Sequence, residues 1–406
     1  MTKILILAVG TGLLGACAAK FEEPPSPETV RLAQEAGQKT SGFAFRLFAQ
    51  LLRERTSENL FVSPASVSFA LAMAQTGARG ATEGEMARVL GWEGLAREKV
   101  DRRQEALRKV LRSAEPRVRL EIAQSAWVRN DFPLRPEYIQ VLRERYSAGA
   151  QALDFQGPQA PEAINRWVSD HTAGKIPALI EGPLDPALLL VLVNAVYFKG
   201  EWREKFEPEQ TRKGKFHAES GATPIVSFMN RTGQYGYLEK PDFEAVRIPY
   251  GKTGRMALYV FLPREASRLA DFEAKLSGEA FRTWVKEFGE GELTLSLPKF
   301  KLESNVSLRP ALEALGMVQA FRDHADFSGI TERGPNLMIS RVVQKAMIDV
   351  NEEGTEAAAA THVGLMPTAA PSRPFVFRAD RPFFMALRDD GMETLLFMGS
   401  IRNLKE

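Results

Sequence analysis

The 406-residue chain has a single cysteine, Cys17, so no intrachain disulfide can form and a cysteine-built zinc site is excluded. Its four histidines, His171, His217, His324 and His362, are scattered, and none belongs to an HExxH motif. Neither sign of charge dominates: 53 Lys and Arg face 51 Asp and Glu, with no basic block interleaved with aromatics. Nucleic acid is therefore not an expected partner. No G-x-S-x-G elbow and no GxxxxGK[ST] loop occurs, which leaves hydrolase and nucleotide chemistry without a carrier. The nearest approach to a catalytic pair is Asp170-His171, and adjacent residues on a helix point to different sides. No enzymatic activity, metal or cofactor is expected.

The N-terminus has an apolar run, but a short one. Lys3 gives a positive start, Ile4 to Leu14 are apolar, and Leu14-Gly15-Ala16-Cys17 closes the stretch. Such a run is too short to span a bilayer and reads as a processing signal. The closing quartet resembles the lipobox of bacterial lipoproteins, in which Cys17 would be lipidated and become the mature N-terminus. An ordinary secretory signal with a chance cysteine is the other reading. Residues 1–16 are thus expected to be a signal peptide and 17–30 a lipidated cysteine with a polar, proline-bearing tether. Export follows, with a membrane anchor on the non-cytoplasmic side of the cell envelope.

From 31 to 406 no linker or repeat divides the chain, so one mixed domain is expected, helices first and sheets later. Helical patterning begins at Val30. Ser63-Pro64 opens a second helix, and Thr82 with Glu85 forms the pattern of a capping box for a third. Helices are also expected over 102–111, 137–146, 162–170 and 305–315, the last ended by Gly316. Leu188 to Gly200 is apolar without strict alternation, as in a strand covered on both faces. Later strands alternate, including LTLSLPKFKLE, in which Leu293, Leu295 and Leu297 share a face.

The most informative stretch is GTEAAAATHVGLMPTAA, residues 354–370, between a committed strand ending at Val350 and the strands of FVFRADRPFFMALRD. Its small side chains impose little shape, and a short helix, an exposed loop or a buried strand are all open. As a strand entering between two others, it would have to slide past packed side chains, and only small ones pass easily. Residues two apart would share a side. Thr355, Ala357, Ala359 and Thr361 would face inward, and Glu356, Ala358, Ala360 and His362 outward. The opposite parity would bury the Glu356 carboxylate. Gly354 gives the backbone freedom to bend.

From about 40 to 404 the chain resembles the serpins. The residues that carry this are NLFVSPASVSFALAMAQTGARGATEGEM from Asn59, INRWVSDHTAGKIPALI from Ile164, and NAVYFKGEWREKF from Asn194. VSFMN from Val226, DVNEEGTEAAAAT from Asp349, and RPFFMAL with LLFMGSIRNL complete the series. The resemblance implies an α+β fold of helices and three β-sheets, a monomer, with an exposed mobile loop offered as bait to a serine protease. Cleavage would insert the loop into the main sheet and trap the protease as a covalent acyl-enzyme complex. It also implies a hinge formed by Glu352, Glu353, Gly354, Thr355, Glu356, Ala357, Ala358, Ala359, Ala360 and Thr361. Counting from Glu352, the family's usual spacing puts the scissile bond at Thr368-Ala369, flanked by Met366, Pro367 and Ala370. A small residue there points to an elastase-like or subtilisin-like protease. Ala369 or Ala370, the larger Met366 or the more distant Arg373 are other primary residues.

Ser63, Ser66 and Asn194 fall where the family places its shutter, short polar groups beneath the opening sheet. The family's usual histidine in the strand before the hinge is here Gln344, which can donate and accept but does not titrate. Trp202 matches the tryptophan where the loop first enters the sheet. Lys345 is expected to pair with a carboxylate. The alternative within the family is a non-inhibitory member acting as a binding or scaffold protein. Bulky, charged or proline-containing hinges mark such members, whereas the one charge among residues 354–361, Glu356, lies in the outward row.

Overall fold

The computed structural model describes residues 24–54, 58–113, 115, 117–264, 268–333, 337–355 and 375–405. α1 (Pro27–Glu54) buries Ala33, Ala36, Thr40, Phe43, Leu47 and Leu51, a stripe at helical spacing. It starts at Pro27 and not at Val30. Ser26 caps it, its hydroxyl accepting from the Thr29 N–H at 3.2 Å, and Pro27 occupies the first turn, where its missing N–H is no loss. The last residues assigned to the tether are therefore helical.

α2 (Pro64–Gly77) is buried almost all round, and α3 (Gly80–Leu90) and α4 (Arg97–Arg112) pack beside it. The expected capping box is not made. Thr82 Oγ1 accepts from the Asp326 N–H at 2.9 Å, and the Glu85 carboxylate accepts from Val318 and Gln319 at 2.8 and 2.6 Å. Both side chains answer distant backbone donors in place of their own helix. α5 (Pro136–Val141) runs into a π-helical turn ending at Tyr146, and α6 (Ala160–His171) follows. α7 (Leu269–Glu273) and α8 (Gly278–Lys286) precede α9 (Arg309–Ala314). The last begins later than its expected start at Asn305, because Asn305 to Ser307 still belong to a strand.

Two mixed sheets are present among the described residues, where three are expected. The larger has nine strands. β1 (Leu60–Val62), β15 (Thr394–Ile401), β14 (Phe383–Asp389), β8 (Met256–Pro263), β7 (Phe243–Pro249), β6 (Ile225–Glu239), β9 (Gly289–Pro298) and β13 (Phe375–Arg378) follow one another in space, with β5 (Arg212–Lys215) on β6. β6 explains the count: residues 228–237 pair with β9 while 236–239 pair with β7, so one long strand joins two ladders into one sheet.

The smaller sheet has the order β10 (Phe300–Ser307), β11 (Ile339–Asn351), β12 (Gly354–Thr355), β4 (Leu190–Glu201), β2 (Val118–Arg129), β3 (Gly149–Leu153), with β11 also paired directly to β4. LTLSLPKFKLE, one run in sequence, splits after Pro298 into β9 and β10, which belong to different sheets. β4 is covered on both faces. Leu190, Leu192, Val196 and Phe198 enter the main core, while Val191, Val193 and Ala195 pack with Ile164 and Val168 of α6 in a second core. That double cover removes the alternation from its sequence.

Candidate functional site: the open end of the six-stranded sheet

β11 and β4 run parallel and directly paired from Ile339 opposite Leu190 to Met347 opposite Tyr197. Beyond that point they part. The chain turns at Glu352-Glu353 and returns between them as β12, antiparallel to both. Gly354 lies opposite Asn351 and Glu201, and Thr355 opposite Val350 and Gly200. The sheet is thus split at one end, with the first two residues after the acidic turn already in the gap.

Only glycine suits position 354. Its φ is +148°, and a Cβ there would lie 2.0 Å from the Gly200 carbonyl oxygen. Thr355 is fully buried and shares a 2.8 Å hydrogen bond with the Tyr250 hydroxyl. Burial without a charged partner drives the Tyr250 phenol far above its ordinary pKa, so it stays a neutral hydroxyl. Trp202 stacks on Tyr250 at 4.3 Å between ring centroids. It also donates from Nε1 to the Asn351 carbonyl at 2.8 Å and from its backbone N–H to the Glu353 carbonyl at 3.0 Å. It fills the mouth of the split and ties both ends of the turn.

The acidic turn is held by two lysines. Glu352 is bonded to Lys299 at 2.8 Å and accepts from Thr211 Oγ1 at 2.8 Å. Burial pushes its carboxyl up, but the bonds from Lys299, backbone and Thr211 outweigh that and hold it below its ordinary value. Glu353 meets Lys205 at 2.5 Å, with Glu201 3.4 Å from the same ammonium. Burial alone would lower Lys205, whereas the two carboxylates keep it above its usual range.

Deeper in the sheet lies a row of amides. Asn194 on β4 is in register with Gln344 on β11 and Gln124 on β2. Ser66 Oγ donates to Asn194 Oδ1 at 2.6 Å, and Asn194 Nδ2 returns a bond to the Ser66 carbonyl at 2.8 Å. Gln344 Nε2 donates to Asn194 Oδ1 at 3.0 Å and to the Ser63 carbonyl at 2.9 Å, while its Oε1 accepts from the Ser63 N–H at 2.8 Å. Ser63 Oγ donates to the Leu396 carbonyl at 2.6 Å. Ser63, Ser66, Asn194 and Gln344, the residues expected to form a shutter, are joined in one buried hydrogen-bond network.

Gln124 was missed. Its Nε2 donates to the Ser66 carbonyl at 2.9 Å, and its only signal in sequence was an amide in an otherwise apolar strand segment. Tyr250, Lys299, Lys205 and Thr211 had no signal at all, since they come from segments far from the hinge. Lys345 has no carboxylate partner among the described residues: its ammonium donates to the Ala178 carbonyl at 2.8 Å. His171 ends α6, its ring stacked on Trp167 at 4.1 Å. Cys17, Glu356 to Thr361, Met366, Pro367, Thr368, Ala369 and Ala370 lie outside the described residues.

Gly354 and Thr355 thus stand in the split end of the sheet, above a buried row of amides. Residues 38–404 match the serpin (serine protease inhibitor) family. The chain is 36% identical to an uncharacterized serpin-like protein of Thermococcus kodakarensis, over 99% of each chain. It is 35% identical to leukocyte elastase inhibitor of Bos taurus, covering 88% of this chain and 97% of that one. A crystal structure of Serpin48, a highly specific serpin of the insect Tenebrio molitor, superposes with a TM-score of 0.82 at 32% identity, covering 92% and 99% of the two chains. The chain belongs to the serpin family. That membership makes it a non-catalytic protein of the serpin type of protease inhibitor.

Proposed function

We propose that this serpin is an irreversible suicide-substrate inhibitor of elastase-like or subtilisin-like serine proteases, cleaved at Thr368-Ala369. The observation that carries the reading is β12, a strand of two small residues standing at the open end of the slot between β11 and β4. In this reading the protease serine attacks the Thr368 carbonyl, the Ala369 amine leaves, and the acyl-enzyme is carried along as the loop inserts. The likeness to a leukocyte elastase inhibitor supports the choice of a protease with a small primary pocket.

In this reading the inserting strand continues the register of β12. Thr355 is opposite Gly200 and Val350, so continuation of the strand sets Ala357 opposite Phe198 and Ile348 on the inward side. The same count sets Thr361 between Asn194 and Gln344, two residues that share a hydrogen bond in the closed sheet. The Thr361 hydroxyl then offers each amide a replacement partner as the strands part. His362 falls opposite Val193 and Val343, which are buried against the α6 layer. The outward row is thus open to charge only near the mouth; deeper in the sheet, α6 must yield before it.

Incubation with an elastase and a subtilisin should give a covalent complex near the sum of the two masses that resists SDS. Turnover of the chain by every protease tried, without complex, would refute the inhibitory reading. A cut in the loop that leaves thermal stability unchanged would point to a non-inhibitory binding or scaffold protein instead. We further propose that Cys17 is lipidated and anchors the domain outside the cytoplasm, on the strength of the Leu14-Gly15-Ala16-Cys17 quartet. Cys17→Ser should then abolish fatty-acid labelling and detergent partitioning, and an unchanged distribution would leave a plain secreted serpin.

A further inference from the structure

Two members of the amide row are only partly satisfied in the closed sheet. Gln124 on β2 lies directly opposite Asn194 on β4, and Asn194 opposite Gln344 on β11. All three are buried, and Gln124 and Asn194 both reach Ser66 of α2, so they project from the same face of the sheet. Gln124 Nε2 donates to the Ser66 carbonyl at 2.9 Å, but its Oε1 is buried without a hydrogen-bond partner among the described residues. Asn194 has the complementary surplus. Its Oδ1 accepts twice, from Ser66 Oγ at 2.6 Å and from Gln344 Nε2 at 3.0 Å. Its Nδ2 carries two protons and meets only the Ser66 carbonyl among the described residues, at 2.8 Å. A spare acceptor and a spare proton thus stand opposite each other at one register position without meeting.

We propose that Gln124 is a positioning residue for strand insertion, which takes up the Asn194 amide that Gln344 releases when β4 and β11 part. The proposal rests on the inhibitory reading above. Admitting a strand moves β11 away from β4 by about one strand spacing, roughly 4.8 Å, and the 3.0 Å bond between Gln344 and Asn194 is lost. The β2–β4 ladder lies outside the gap, so Gln124 stays opposite Asn194. Residues directly opposite on antiparallel strands have Cβ atoms about 4.5–5.5 Å apart. A turn of the freed Asn194 amide toward β2 therefore brings its spare Nδ2 proton onto Gln124 Oε1, and the place of Gln344 on Oδ1 passes to the Thr361 hydroxyl. Gln344 is the restraint in the closed sheet, because its bond to Oδ1 draws the Asn194 amide toward β11. A buried acceptor unmet in the closed sheet is satisfied in the opened one, which lowers the barrier to opening.

Gln124→Met keeps the length of the side chain and removes both hydrogen-bonding atoms. In the otherwise unaltered full chain its urea midpoint should not move, because one bond to a carbonyl that Asn194 also serves is lost together with one unmet acceptor. In a Gln344→Leu background Asn194 is already free to meet Gln124, and there Gln124→Met should lower the midpoint. With elastase as the protease, loop cleavage should be unaffected. Loss of one net hydrogen bond from the opened sheet should slow insertion about fivefold, so that about five times more inhibitor is turned over as substrate per protease trapped. Gln124→Asn retains the acceptor one methylene short and should fall between wild type and Gln124→Met. Equal effects of Gln124→Met on the midpoint in the two backgrounds, a Gln124→Met chain that does not fold, or unchanged substrate turnover per protease trapped would overturn the proposal. If the wild-type chain traps no protease, the inhibitory reading fails with the insertion role, while the urea comparison still decides whether a freed Asn194 pairs with Gln124.

Discussion

Thr355→Arg separates recognition of the loop from its insertion. In the native sheet Thr355 is fully buried between Gly200 and Val350, with Tyr250 as its hydrogen-bond partner. An arginine kept in β12 would leave the Tyr250 hydroxyl unpaired, about 1–3 kcal/mol, and would bury a guanidinium without a carboxylate, several kcal/mol more. The chain avoids that by leaving β12 unformed, which forfeits its ladder bonds at roughly 0.5–1.5 kcal/mol each. Insertion has no such escape, because position 355 enters first. A cost of about 3 kcal/mol on that step slows it about a hundredfold, while acylation at a distant bond is unaffected. Deacylation then gains on insertion, and the number of inhibitor molecules turned over as substrate per protease trapped should rise by about two orders of magnitude. Thr355→Val keeps the shape and removes only the hydroxyl, at about 1 kcal/mol, and should slow insertion only about fivefold. The assay is titration of protease activity against inhibitor, with gel analysis of complex and cleaved product. An arginine variant with the wild-type ratio would refute both the inward placement of Thr355 and the order of events.

Three further perturbations address the rest of the site. Gln344→Leu strands the Ser63 backbone N–H and removes one bond each from Asn194 and from the Ser63 carbonyl, which keeps the Val67 N–H, and should lower unfolding stability by about 1–3 kcal/mol in urea, as a shift of the midpoint. Gly354→Ala sets a Cβ against the Gly200 carbonyl, so amide exchange at Gly200, opposite Thr355, should speed up as β12 leaves the sheet, with the global stability nearly unchanged. The Glu352 carboxyl lies below its ordinary 4.5 in the folded protein. Its contribution is therefore complete above about 4.5 and disappears as pH falls through the lower folded value. The stability gap between wild type and Glu352→Gln, measured by denaturation from pH 7 to 3, should be constant near neutrality and close on acidification; a gap independent of pH would contradict the Lys299 pairing.

The sequence by itself determined the elements whose causes are local. The double-faced burial of β4 is written in the unalternating LVLVNAVYF, and the small side chains that the proposed insertion requires are written in GTEAAAAT. Proline at the start of α2 and glycine at 354 each state a backbone requirement that no partner can change. Ser63, Ser66, Asn194 and Gln344 could be named before any coordinates, though only as polar groups in a matching pattern. What they bond to was decided by tertiary structure, because register aligns Gln344, Asn194 and Gln124 from strands separated by long stretches of chain. The same holds for the mouth of the split sheet: Tyr250, 105 residues from Thr355, meets it only when β7 and β12 come together. Thr82 and Glu85 show the converse, since a local capping pattern lost to distant backbone donors that had no other partner. Local sequence fixes periodicity and backbone preference, but a hydrogen bond goes to whichever buried group would otherwise be left unpaired, and only the assembled fold determines which that is.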